Sequence, residues 1–270
     1  MQKDHCGVYL TYAIPLKDSL TSYMVKNTWS LLYNLLLWFL FGTGAFCNSL
    51  SQLLAFARSD HLSDTGDILK TEKGAKSGIP DIELQPMAAL CVATDDVVFD
   101  NPETEGVYSF IVNHLQPASS GSVRLASKNP ADAPAVHLGY LSEVSDYTAL
   151  RKGIRLVCRI VEEMRNVRGY MITPYDAPRN PEEETDEKID EFIHSHLRTT
   201  YHYSSTCRMG KEEDGGVVDS ELRVHGVDRL RIADCSILPD ILACHLQAPA
   251  VMIGEKCADL VKQEWAQKRR

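Results

Sequence analysis

Two short stretches hold the side chains best suited to chemistry, "YHYSSTCRMG" at 201–210 and "ACHLQAP" at 243–249. Each carries one histidine, His202 and His245. Imidazole titrates near neutrality, so it can take a proton from a hydroxyl and give it back at physiological pH. A histidine met singly in a folded domain is more often packed than catalytic. The case for these two therefore rests on the text around them. His194 and His196 lie two apart on a predicted helix and point to different faces, so they cannot chelate together as an i, i+4 pair does. No Cys or Glu pattern joins them, and no metal site is expected. A serine hydrolase is also disfavoured. There is no G-x-S-x-G elbow, and Ser204–Ser205 lacks the strand-to-helix turn that exposes a nucleophile.

The elements that must position these histidines are legible in outline. Residues 7–14, "GVYLTYAI", alternate as a strand that Pro15 ends. A charge-free run from Asn27 to Ala57 contains "WSLLYNLLLWFLFGTGAFC". Its uninterrupted apolar part suits a buried helix of about three turns more than a membrane span, which needs about 20 residues. Gly42 and Gly44 read as a turn rather than as half of a dinucleotide fingerprint, since the third glycine is missing. A polar surface loop is expected over 59–79, and strands over 81–90 and 106–115. "SSGSVRLASKNPADAPAVHLGYL" has the short alternating runs of an antiparallel sheet. Helical spacing over 145–166 puts Leu150, Ile154, Val157, Ile160 and Val161 on one face. "TPYDAPRNPEEE" reads as a loop, and Thr185 as the N-cap of "DEKIDEFIHSHL". The tail predicts a strand "LRIADCSIL", a loop, and a helix from Pro249 to about Trp265, with Ala250, Ile253, Gly254, Cys257 and Val261 inward. The fold class is α+β.

The chain's 270 residues can bury a substantial core in one large domain or two. Its net charge of −9 argues against a nucleic-acid partner, which normally meets a basic surface. The eight cysteines are scattered without a C-x-x-C pair, so they read as reduced, mostly buried thiols. With no N-x-[ST] site and no signal-peptide pattern in "MQKDHCGVYL", the balance favours the cytoplasm over a secreted setting.

The ordered series "YHYSSTCRMG", "VVDSELRVHGVDRLRIADCSILP" and "HLQAPAVMIGEKCADLVK" resembles the C-terminal part of the glucose–methanol–choline (GMC) flavoprotein oxidoreductases. "SSGSVRLASKNPADAPAVHLGYL" followed by "DYTALRKGIRLV" fits the same pattern, and "QKDH" at 2–5 is similar to the end of the family's N-L-Q-D-H segment. The resemblance implies an antiparallel-sheet substrate domain over 1–200. Over 201–270 it implies an active-site segment and the C-terminal piece of an FAD-binding domain. It also implies an alcohol dehydrogenase or oxidase of the choline-dehydrogenase kind. His202 is then similar to the histidine that takes the alcohol proton, and His245 to the second active-site position. Ala233, Asp234, Leu246, Gln247 and Pro249 are implied to border FAD, with Leu246 and Gln247 contributing mainly backbone. For Asp234, a capping role is the open alternative.

The sequence departs from the family pattern in two ways. Where the family often reads H-P-x-G-T, Tyr203 and Ser205 stand in place of Pro and Gly, which bears on the local backbone shape. The Rossmann unit with G-x-G-x-x-G, which holds the FAD pyrophosphate, has no counterpart here. The expected partners are a small-molecule alcohol and an N-terminal FAD-binding half, with no metal and no membrane. The alternative is a truncated, non-catalytic fragment that cannot hold FAD alone.

Overall fold

A computed structural model describes residues 1–20, 28–47, 49, 51, 53–70, 78–89, 105–179 and 184–268. The strands among them are β1 (Cys6–Pro15), β2 (Ala55–Ala57), β3 (Ile82–Met87), β4 (Glu105–His114), β5 (Ser122–Arg124), β6 (Ala135–His137), β7 (Thr173–Asp176) and β8 (Leu197–Thr199). The α-helices are α1 (Thr28–Phe41), α2 (Val144–Asn166), α3 (Asp186–His196) and α4 (Gln247–Lys268). The α+β class is as expected. The chain gathers into two compact units. One comprises Met1–Cys6, Leu115–Asp146 and Thr199–Arg270; the other comprises Gly7–His114 and Tyr147–Arg198.

The second unit is built on a sheet in the order β2-β3-β4-β1-β7, with β8 also pairing with β1. The β2–β3, β3–β4 and β1–β7 pairs are antiparallel. In β1, Val8, Leu10, Tyr12 and Ile14 are all buried, as period-2 alternation requires, and the Tyr12 ring meets Phe110 edge-on. Helix α2 buries Leu150, Ile154, Val157 and Val161, while Ile160 is only partly covered. It passes close over the sheet at Gly153, where an added Cβ would lie 2.5 Å from Val112 Cγ1. Arg151 pairs with Asp186 and Asp190 of α3, and Arg155 with Asp186, which ties the two helices together. The hydroxyl of Thr185 accepts the Lys188 N–H, the capping bond expected of it.

Residues 173–176 are a strand, not a loop. β7 pairs antiparallel with β1 through Thr11↔Asp176, Tyr12↔Pro174 and Ala13↔Thr173. It is the last strand of the order, and an edge position tolerates a proline that cannot donate to the ladder. The predicted apolar helix is present as α1, and Gly42 and Gly44 turn the chain at its end with φ of +62° and +92°. Asn34 fastens that turn, since its side chain donates to Ser30 O and accepts from Ala45 N at 2.9 Å each. The helix is not buried, however. Trp29, Leu36, Phe39 and Phe41 are among nine large apolar side chains it exposes. No helix among the described residues is long and apolar enough to cross a membrane.

The first unit has its own core in Val218, Leu222, Ile237, Leu238, Ile241, Leu246 and Ile253. β5 and β6 form a small antiparallel pair. The Asp146 carboxylate accepts the N–H groups of Ala118 and Ser119 at 2.9 and 3.0 Å. The run 230–238 is not the predicted strand. Arg231 makes an isolated bridge to Arg223, and Cys235–Ile237 is a single 3₁₀ turn. Asp234 accepts the Ser236 N–H at 2.8 Å and so favours that turn over an extended ladder. Helix α4 starts at Gln247, which leaves Pro249 in its first turn. Ile253 is buried, Cys257, Leu260 and Val261 are partly so, and Gly254 faces outward instead. The thiols are less buried than expected, because only Cys6 and Cys158 of the seven described are fully covered.

Candidate active site

The site lies within the first unit and is assembled from segments far apart in sequence. Its floor is the exchange of backbone bonds between the start of the chain and the loop after β8. Lys3 N donates to Ser204 O at 3.0 Å, and Ser204 N to Lys3 O at 2.8 Å. Thr200 N donates to His5 O at 3.2 Å. Asp4 then acts as a hub: its carboxylate accepts the His202 N–H at 2.9 Å, the Thr199 hydroxyl at 2.7 Å and the Tyr140 hydroxyl. Burial raises the Asp4 carboxyl above its usual range against the lowering effect of these donors, and burial followed by the neighbouring Asp4 likewise raises the Tyr140 phenol.

This frame presents three imidazoles in a row. The His5 ring meets His202 edge-on with centroids 5.0 Å apart, and His202 meets His245 edge-on at 4.8 Å. His5 is fully buried, His202 partly buried and His245 exposed. His202 Nδ1 lies 2.9 Å from His5 Nδ1 and 3.2 Å from Thr200 Oγ1. Its pKa falls from 6.5 to about 4, first because burial disfavours the charged ring and then because His245 is a second potential cation beside it. A ring held this way is neutral throughout the physiological range, the state a general base must occupy.

The loop's shape is set by two residues with left-handed backbone, Tyr201 at φ +61° and Ser205 at φ +66°. Ser205 stands where the resembled pattern has glycine, and it adopts the conformation that favours glycine. The loop therefore turns at Ser205 in a backbone conformation that a residue with a side chain rarely adopts. From there the chain runs beside 235–237: Ser205 N donates to Cys235 O at 3.3 Å, Cys207 N to Ser236 O at 2.9 Å, and Met209 N to Ile237 O at 2.7 Å.

Ala233 and Asp234 are exposed next to that 3₁₀ turn, and the Asp234 carboxylate caps it. Leu246 buries its side chain in the core, Pro249 is buried, and Gln247 is exposed at the start of α4. The Gln247 and Ala248 N–H groups precede the helix's early bond from Ala250 N to Leu246 O, and such first-turn donors favour a negatively charged group. Ala233, Gln247 and Ala248 are exposed, so the start of α4 is open to a group that carries negative charge. Sequence reasoning did not assign roles to Asp4, His5, Thr199, Thr200 or Tyr140. "QKDH" was the one visible signal for the first two.

His194 and His196 are in the other unit, bonded to Tyr147 and to Asp176 respectively. Both are accounted for as structural contacts on different sides of α3.

Residues 117–254 match the model of the family described as GMC oxidoreductase. The chain belongs to that family. It is 31% identical over 266 residues to the oxygen-dependent choline dehydrogenase of Escherichia coli O139:H28, covering 98% of this chain and 43% of that protein. A solved structure of formate oxidase superposes with a TM-score of 0.81 at 23% identity, over 97% of this chain and 47% of that one. An FAD-dependent oxidoreductase from Chaetomium thermophilum, solved with a bound fragment, gives 0.73 at 21% identity, over 98% and 48%. The chain thus spans less than half the length of the relatives it matches.

Proposed function

We propose that this chain supplies the substrate domain and the active-site tail of an FAD-dependent oxidoreductase acting on the CH–OH group of a small alcohol. Residues 1–200 are assigned to the substrate domain, and 201–270 to the active-site segment with the C-terminal piece of the FAD-binding domain. The observation that carries the reading is the His202–His245 pair, 4.8 Å between ring centroids, with His202 held neutral. When bound, FAD supplies a two-electron acceptor for the hydride that leaves the alcohol carbon. His202 takes the hydroxyl proton, which drives electron density toward the carbon and makes hydride departure easier. His245 holds the substrate oxygen from the other side. Ala233, Asp234, Leu246, Gln247 and Pro249 would hold the flavin, and the free N–H groups in the first turn of α4 would favour a negatively charged group there.

The test is anaerobic stopped-flow reduction of the full-length, flavin-loaded protein by a panel of alcohols that includes choline. His202→Ala is expected to slow flavin reduction by ~10²-fold or more, the usual weight of a general base. Near-normal reduction would sink the assignment. A second reading concerns the chain in isolation. Because it spans less than half of its relatives and has no counterpart of the family's phosphate-binding glycine unit, it holds no FAD by itself. Flavin that remains with the purified 270-residue chain through desalting would refute that reading.

A further inference from the structure

His5 has no assigned role, yet its surroundings fix where the hydrogens of the imidazole row must lie. The carbonyl oxygen of Leu115 can only accept, and it lies 3.1 Å from His5 Nε2, so that nitrogen carries a hydrogen. A neutral His5 then has a bare Nδ1, and that lone pair faces His202 Nδ1 at 2.9 Å. The hydrogen between the two rings therefore belongs to His202. Thr200 points to the same arrangement independently. Its hydroxyl donates to His5 O at 3.1 Å, so the oxygen that lies 3.2 Å from His202 Nδ1 has only lone pairs to offer there. Two acceptors converge on one ring nitrogen.

The competing arrangement needs a doubly protonated His5 that donates in both directions. That would place a cation on a ring with 0% of its surface exposed, where burial strongly disfavours charge. Asp4 is the nearby anion, but its carboxylate is engaged by His202 N–H, Thr199 and Tyr140.

We propose that His5, anchored by the Leu115 carbonyl and seconded by Thr200, is a positioning residue that holds His202 as the Nδ1–H tautomer and leaves His202 Nε2 as the bare nitrogen. The assignment rests on the reading of His202 as the proton acceptor, because it states which atom does the accepting. On that atom, the proton leaves the substrate O–H bond and forms an N–H bond at Nε2. The resulting imidazolium keeps its Nδ1–H bond to His5. An imidazole free in water prefers its hydrogen on Nε2, so the proposed tautomer needs the protein to impose it.

The experiment is ¹⁵N NMR of the full-length protein carrying ring-labelled histidine at neutral pH, with His202 assigned by its loss in His202→Asn. The expected result is a protonated Nδ1 and a bare Nε2 for His202. His5→Leu removes the acceptor and is expected to release the tautomer to a mixture or to Nε2–H. His5→Gln can donate from its amide nitrogen to Leu115 O and accept with its oxygen, and is expected to restore the Nδ1–H form. Flavin reduction should follow the same order, slow in the leucine variant and recovered in the glutamine one. His202 found as Nε2–H in the wild type overturns the proposal, and this measurement does not depend on how the His5 variants fold. A tautomer unmoved by His5→Leu overturns the role of His5. If the tautomer is as stated but His202→Ala still reduces flavin normally, the proton-acceptor reading fails while the hydrogen placement is upheld.

Discussion

Replacing His202 by asparagine should change how the protein's stability responds to acid. In the folded chain the ring titrates at about 4, against 6.5 when unfolded. Between those values the unfolded state binds a proton that the folded state refuses, so stability present above pH 6.5 is lost as the pH falls toward 4. Over that interval the difference corresponds to at most ~3 kcal/mol, at about 1.4 kcal/mol per tenfold in proton affinity. The ring is only partly buried, and solvent screening reduces the effect to roughly half, ~1.5 kcal/mol. Asparagine has no titrating group, so the comparison reads what the His202 ring contributes, its repulsion with His245 included. Urea unfolding at intervals from about pH 7.5 to about pH 4.5 should therefore show the wild type losing ~1 to 1.5 kcal/mol more than His202→Asn. Parallel curves would show that the ring is not held neutral by its surroundings, and the argument for a poised base would go with it.

Other substitutions test the frame. Asp4→Ala strands the Thr199 and Tyr140 hydroxyls and the His202 N–H, and should cost ~3 kcal/mol in urea unfolding. At Ser205, whose φ is +66°, glycine should be tolerated within ~0.5 kcal/mol, whereas valine should cost ~2 kcal/mol or more. Gly121→Ala would put a Cβ 2.1 Å from His137 O and 2.5 Å from Gln2 Oε1, so it should destabilise by ~2 kcal/mol and broaden the thermal transition. The apolar surface of α1 should make the isolated chain self-associate in gel filtration, and Leu36→Glu with Phe39→Glu should shift it toward the monomer.

Much of the frame is readable from local pattern. The strand at 7–14, the helix at 145–166 and the Thr185 cap announce themselves through periodicity and a side-chain acceptor at the right offset. Two misreadings have a common cause, a local signal outvoted by its context. Pro174 looks like a loop residue until it is placed on a sheet edge, and the apolar run at 230–238 looks like a strand until Asp234 turns it. The hydrogen-bond hub at Asp4 was not legible, because its partners Tyr140, Thr199 and His202 are 136 to 198 positions away in the chain. Spacing along a sequence carries no record of such meetings. The histidines at 202 and 245 stood out only through the ordered motifs around them.

The pairing of His5 with His202 joins positions 197 residues apart, and this has a consequence for how the molecule is made. A ribosome adding about 5–20 residues per second needs roughly 10 to 40 seconds to travel from one to the other. During that interval the segment at 1–6 has been synthesised while its partner loop has not. Its buried polar groups must wait in water or in the care of a chaperone, and the imidazole row can close only when nearly all of the chain has emerged. Slowing translation between these points should lengthen the time this segment is open to proteases, with no change in the finished fold.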